Sequence, residues 1–101
     1  GGYDGRNFLN AVESYDPATG EWRMEAAMPT KRSGLAALVI QDKIVCLGGY
    51  DGRNFLNAVE SYDPATGEWR MEAAMPTKRS GLAALVIQDK IVCLGGYDGR
   101  N

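Results

Sequence analysis

At 101 residues, of which 45% are hydrophobic and 24% charged, the chain has the apolar content of one small domain. Its net charge of -2 argues against a polyanion-binding tail, so no nucleic-acid partner is expected, and no apolar run approaches the roughly 20 residues that span a membrane. Histidine is absent and cysteine occurs twice, which removes the usual general base for a nucleophilic enzyme and the clustered ligands of a zinc site. No catalytic residue, metal or cofactor is therefore expected.

Residues 1–10 read as a loop, because the glycine pair, the Asp4-Gly5 step and two asparagines supply turn chemistry. Ala11-Val12-Glu13-Ser14-Tyr15 alternates as a strand does, with Val12 on one face. Asp16-Pro17-Ala18-Thr19-Gly20 follows as a hairpin turn, and Glu21-Trp22-Arg23-Met24-Glu25 is the returning strand, with Trp22 and Met24 expected inward. Ala26-Ala27-Met28-Pro29-Thr30-Lys31-Arg32 is a connection, since Pro29 restricts its neighbour and cannot donate to a ladder. Two apolar runs close the stretch, residues 34–40 and 43–47, separated by Gln41-Asp42. Their length and the Val39-Ile40 ending favour strands buried on both faces over a helix through Leu35-Ala36-Ala37-Leu38. Cys46 and its counterpart Cys93 lie inside such runs, where a thiol behaves as a small hydrophobe.

At Gly48 the sequence starts again. Residues 48–94 repeat residues 1–47 without a mismatch, and 95–101 begin a third copy. A period of 47 residues marks stacked units that cannot bury their apolar faces alone. Natural repeats drift apart, so exact identity is read as the mark of a designed or consensus sequence. Gly1 opens no signal-peptide pattern and no targeting signal is expected, although reduced cysteines suit recombinant cytoplasmic expression.

Four short strands per unit make an antiparallel sheet of the size of a propeller blade. Gly48-Gly49, Asp51-Gly52, Leu56-Asn57, Val59-Glu60, Tyr62-Asp63-Pro64, Trp69, Met75 and Arg79-Ser80-Gly81 stand in the order and spacing of the kelch motif. The chain resembles the kelch domains of ubiquitin-ligase adaptors, and its symmetry resembles a designed, self-assembling kelch propeller. It departs from the usual pattern at Gly34-Leu35-Ala36-Ala37-Leu38. The glycine spacing of the heptad is wrong for a dinucleotide fingerprint, and Asp4-Gly5-Arg6-Asn7 lacks the ligand count of a calcium loop.

The resemblance implies an all-β fold with blade strands a to d running outward from the channel. Two kelch repeats, 1–47 and 48–94, would give one complete blade at about 33–72, flanked by half-blades at about 11–25 (c and d) and 80–94 (a and b). Open halves invite another chain, so a homotrimer closing a six-bladed ring is expected, with a tetramer and eight blades second. The terminal heptads would compete for one place.

The same resemblance puts the b-c and d-a loops on one face of the ring, where adaptor kelch domains take degron peptides. The candidate ligand-binding residues are Tyr3, Arg6, Asn7, Phe8, Lys31, Arg32 and Ser33, then Tyr50, Arg53, Asn54, Phe55, Lys78, Arg79 and Ser80, then Tyr97 and Arg100. Per unit this face carries Arg6, Lys31 and Arg32 against Asp4, a balance of +2, and the other carries Asp16, Glu21 and Asp42 against Lys43, a balance of -2. Anions or acidic peptides on the basic face, and stacking of rings basic face to acidic face, are the partners this implies. The other class of function is a scaffold without a native ligand. An oxidase of the kind that shares the kelch fold needs metal-binding histidines that are missing.

Overall fold

Short runs rich in Val, Ile, Tyr and Trp, broken every few residues by Gly, Pro or Asp, leave room for strands and tight turns only. The computed structural model describes residues 1–100; the last residue of the third heptad lies outside them. The strands are β1 (Gly2–Tyr3), β2 (Phe8–Leu9), β3 (Glu13–Asp16), β4 (Glu21–Met24), β5 (Ala36–Ile40), β6 (Lys43–Leu47), β7 (Val59–Asp63), β8 (Glu68–Glu72), β9 (Ala83–Ile87) and β10 (Lys90–Leu94). No helix occurs among the described residues.

Strands β5, β6, β7 and β8 form one antiparallel four-stranded sheet in that order. To one side stands the pair β3-β4 and to the other the pair β9-β10, each a two-stranded sheet. Because the sequence repeats, β3-β4 is chemically the β7-β8 half of a sheet and β9-β10 the β5-β6 half. The loop expected at residues 1–10 holds a small hairpin instead, with Gly2 opposite Leu9 and Tyr3 opposite Phe8.

The turns follow the residues. Gly20 closes the β3-β4 turn at φ 74°, its N–H donating to Asp16 O at 2.7 Å, while Asp16 Oδ1 accepts from Ala18 N at 2.9 Å. Gln41 and Asp42 join β5 to β6 with both φ positive, at 51° and 61°, and Gln88 and Asp89 do the same between β9 and β10. Two consecutive left-handed residues are the pattern that Asn-Gly adopts most readily. Replacing Gln41-Asp42 and Gln88-Asp89 by Asn-Gly is therefore expected to stabilise each hairpin by roughly 0.5–1 kcal/mol. A raised melting temperature checks it, and an unchanged or lower one speaks against strain at these turns.

The core lies between the four-stranded sheet and β9-β10. Ala36, Val45, Leu47 and Val59 from one sheet face meet Met75 and Leu82, with Leu38, Ile40, Ala84, Ile91 and Cys93 packed alongside. Strand β7, whose alternation suggested one buried face, is buried on both, Glu60 and Ser61 included. Strand β5, expected buried on both faces, alternates, and Val39 is 67% exposed.

The expectation for Trp22 and Met24 is overturned: they are 68% and 66% exposed. Their counterparts explain why. Trp69 stacks on Tyr62 at 5.1 Å and its Nε1 donates to Ala26 O of the preceding unit at 2.9 Å, whereas Trp22 stacks on Tyr15 at 5.0 Å and meets no such carbonyl among the described residues. A Trp on this face is buried by a neighbouring unit, not by its own hairpin.

Cys46 is buried, and burial pushes its thiol up from the ordinary value, with Arg32 opposing and Glu60 adding to the rise. Cys93 is half-buried. At mildly alkaline pH a thiol reagent is expected to modify Cys93 at least about tenfold faster than Cys46. Equal rates, read by peptide mass, would contradict the packing of β6.

Candidate functional site

Each heptad folds on its aspartate. Asp51 Oδ1 accepts from Arg53 N at 2.9 Å and Asn54 N at 2.8 Å, and Asp4 Oδ1 accepts from Arg6 N at 2.9 Å and Asn7 N at 2.7 Å. In the third heptad Asp98 Oδ1 accepts from Arg100 N at 2.8 Å. These backbone bonds, first those from Asn7 and Asn54 and then those from Arg6 and Arg53, hold the Asp4 and Asp51 carboxyls below the usual carboxylate range. Tight turning of the loop throws the arginine side chains outward, and Arg6, Arg53 and Arg100 are exposed.

The rings beside these loops form a continuous row. Tyr3 meets Phe8 at 4.8 Å, Phe8 meets Tyr50 at 5.7 Å, Tyr50 meets Phe55 at 4.8 Å and Phe55 meets Tyr97 at 5.5 Å. Backbone bridges pin the row, Tyr50 pairing with both Ser33 and Phe55, and Tyr97 with Ser80. Phe8 and Phe55 are thus packing residues between units, half-buried against Gly52 and Gly99. Tyr3, Asn7, Asn54, Tyr97, Lys31 and Lys78 are exposed, while Ser33, Tyr50 and Ser80 are half-buried.

Arg32 stands apart from the surface set. It is 0% exposed: one guanidinium nitrogen, Nη2, pairs with Glu60 Oε1, and Nη1 donates to Gly48 O at 2.8 Å and Ala58 O at 3.3 Å. Glu60, also 0% exposed, accepts a further bond from Thr30 Oγ1 at 2.8 Å. Arg32 ties the connection before β5 to β6 and β7 and offers nothing to a ligand. Its adjacency to Lys31 made it look like surface, and its partner lies 28 residues away on a strand read as half-exposed. Without it the exposed balance of this face falls to +1 per unit, Arg6 and Lys31 against Asp4. On the other face Asp16, Glu21 and Asp42 are exposed and Lys43 is half-buried.

Arg79, the counterpart of Arg32, sits in a different setting. Its Nη1 donates to Gly95 O at 3.1 Å, as Arg32 does to Gly48 O, and the Nε of both arginines lacks a partner, but Arg79 forms no ion pair among the described residues. The counterpart of Glu60 for this half-sheet would follow β10, and none is present among the described residues. Glu13, the chemical equivalent of Glu60 on β3, is exposed.

Both open half-sheets border cavities. One of about 570 Å³ runs between the four-stranded sheet and β9-β10, lined by Val45, Val59, Ser61, Met75, Arg79 and Ile91 among others. A second of about 420 Å³ lies between β3 and the other sheet face, against Val12, Met28, Ala37, Ile44, Cys46 and Trp69. Beside these cavities the open faces are apolar: Tyr15, Trp22 and Met24 on β3-β4, and Leu85, Ile87, Val92 and Leu94 on β9-β10. Among the described residues no group of three or more Cys, Asp or Glu gathers to hold a metal ion.

A Kelch motif model matches residues 1–29 and 31–76. Kelch-like protein 4 of Homo sapiens is 44% identical over 41 residues, which are 41% of this chain and 6% of that protein. The solved structure titled "Structure of YjhT" has a TM-score of 0.76 with 19% identity, over 93% of this chain and 36% of that one, a likeness of fold. The chain thus spans only a small part of the length of these relatives.

Proposed function

We propose a function from one premise: the chain belongs to the Kelch-motif family and has its antiparallel, all-β propeller architecture. It is a self-assembling scaffold, a designed symmetric sequence without native activity, whose copies close a β-propeller by completing each other's half-sheets. Residues 33–72 serve as the complete blade, with 11–25 and 80–94 as the halves that copies exchange. The observation that carries this reading is the pair of open half-sheets: one has the residues of β7-β8 and the other those of β5-β6, so each is what the other lacks. Exposed apolar faces of this kind are rare on monomers and mark association surfaces. Three chains and six blades are the preferred ring, four chains and eight blades the second.

The terminal heptads meet at such a junction. Gly1 N donates to Ala11 O as Gly48 N does to Ala58 O, and Tyr97 exchanges bonds with Ser80 as Tyr50 does with Ser33. One copy of the heptad must leave for the other to seat.

Hydrogen exchange at two protein concentrations tests the reading. Assembly is expected to slow exchange in residues 13–16 and 90–94, whose outer backbone groups would become paired; unchanged exchange across a hundredfold dilution range would defeat it.

A second reading rests on the exposed Arg6, Lys31, Arg53 and Lys78 around the aromatic row. In a ring they would repeat on every blade and take acidic peptides or multiply charged anions, in keeping with a protein-binding kelch module. Rings would also stack basic face on acidic face. Titration with an acidic peptide at two salt concentrations tests it: salt-sensitive binding supports it, and no binding at low salt leaves the scaffold alone.

A further inference from the structure

We propose that the interface between copies is locked by a buried ion pair between Arg79 of one chain and Glu13 of the next, an inference that rests on the assembly reading above. The exact repeat makes the internal junction a template for the external one. Within the chain, β6 and β7 pair with Ile44 opposite Tyr62, Val45 opposite Ser61, Cys46 opposite Glu60 and Leu47 opposite Val59. One period later on β6 and one period earlier on β7, the same register sets Ile91 opposite Tyr15, Val92 opposite Ser14, Cys93 opposite Glu13 and Leu94 opposite Val12 of a second copy.

That register brings together groups that each chain leaves unfinished. The guanidinium of Arg79 has the carbonyl of Gly95 but, among the described residues, no carboxylate such as Arg32 has in Glu60. Glu13 projects from the exposed β3-β4 face and meets no cation among the described residues. At the template, Glu60 also accepts from the Thr30 hydroxyl, whose counterpart is Thr77. Trp22 also finds what Trp69 has: its Nε1 would reach Ala73 O of the neighbouring chain, as Trp69 reaches Ala26 O. The roughly 570 Å³ cavity beside Arg79 is the space that Tyr15, Trp22 and Met24 of the second copy would fill.

An unpaired carboxylate or guanidinium in that space would be desolvated without compensation, so the pair selects the register. Any slip of one residue puts Glu13 on the opposite face from Arg79.

Sedimentation of the full chain and of two variants tests this, with circular dichroism as a check that each still folds. Glu13→Ala is expected to weaken association by at least about 100-fold, because it strands Arg79 inside the interface. The double variant Glu13→Leu with Arg79→Met, which removes both charges, is expected to recover most of the loss. If the unaltered chain associates and Glu13→Ala associates equally well, the ion pair is refuted while assembly stands. If the unaltered chain stays monomeric at every concentration, assembly itself fails and the pair with it.

Discussion

Glu60→Ala is expected to cost about 3–5 kcal/mol, a large share of the stability of a domain this size. The carboxylate is fully buried and holds both the Arg32 guanidinium and the Thr30 hydroxyl, so its removal leaves a cation inside the protein with two carbonyls and no counter-charge. The same change at the exposed Glu13 breaks no ion pair among the described residues of the isolated chain. Melting should therefore fall by more than about 10 °C for Glu60→Ala and hardly at all for Glu13→Ala when both are compared as monomers. Replacing both partners, Arg32→Met with Glu60→Leu, should restore most of the loss, since the penalty comes from the orphaned charge and not from the absence of an ion pair. A small effect of Glu60→Ala would mean that water reaches Arg32, and the buried network would have to be abandoned.

Gly49→Ala carries the second large effect. Gly49 has φ 108°, and a Cβ there would stand 2.6 Å from Ser33 O and 3.4 Å from the Cα of Leu35. Neither obstacle is a flexible side-chain tip. Strain at such a φ contributes about 1–3 kcal/mol and forced displacement of packed backbone a similar amount, so a loss of roughly 2–5 kcal/mol is expected. Gly67 provides the control, because it has φ 73° but nothing within 4 Å of an added Cβ. Gly67→Ala should cost only the conformational part, about 1–2 kcal/mol. Chemical denaturation of the two variants measures the difference, and equal losses would show that close approach at the glycine pair does not matter.

What the sequence revealed and what it hid divide along one physical line. Local chemistry was legible. Residues 43–47 became β6 with the expected bounds, Asp16 to Gly20 became the expected hairpin turn, and the glycine pair stands where backbones come close. The antiparallel all-β fold followed from turn spacing and the 47-residue period.

The misread residues depend on contacts between units. Trp22 and Trp69 are identical in sequence neighbourhood, yet the Trp69 indole has Ala26 O to bond and that of Trp22 has no such acceptor among the described residues, so no local pattern distinguishes them. Arg32 looked like half of a basic pair with Lys31, but its burial is decided by Glu60 on β7. A glutamate in the middle of a Val-Glu-Ser-Tyr strand, with a matching arginine just before an apolar run, was the available signal. The alternation of that strand suggested a solvated side, and the carboxylate instead found its partner inside.

Native mass spectrometry of the full chain across dilution bears most directly on whether the half-sheets complete one another. Three chain masses are the predicted result, and four would keep the exchange of half-sheets while enlarging the ring. A single chain mass at every concentration would contradict it, leaving Tyr15, Trp22 and Met24 exposed in solution as they are in the isolated chain.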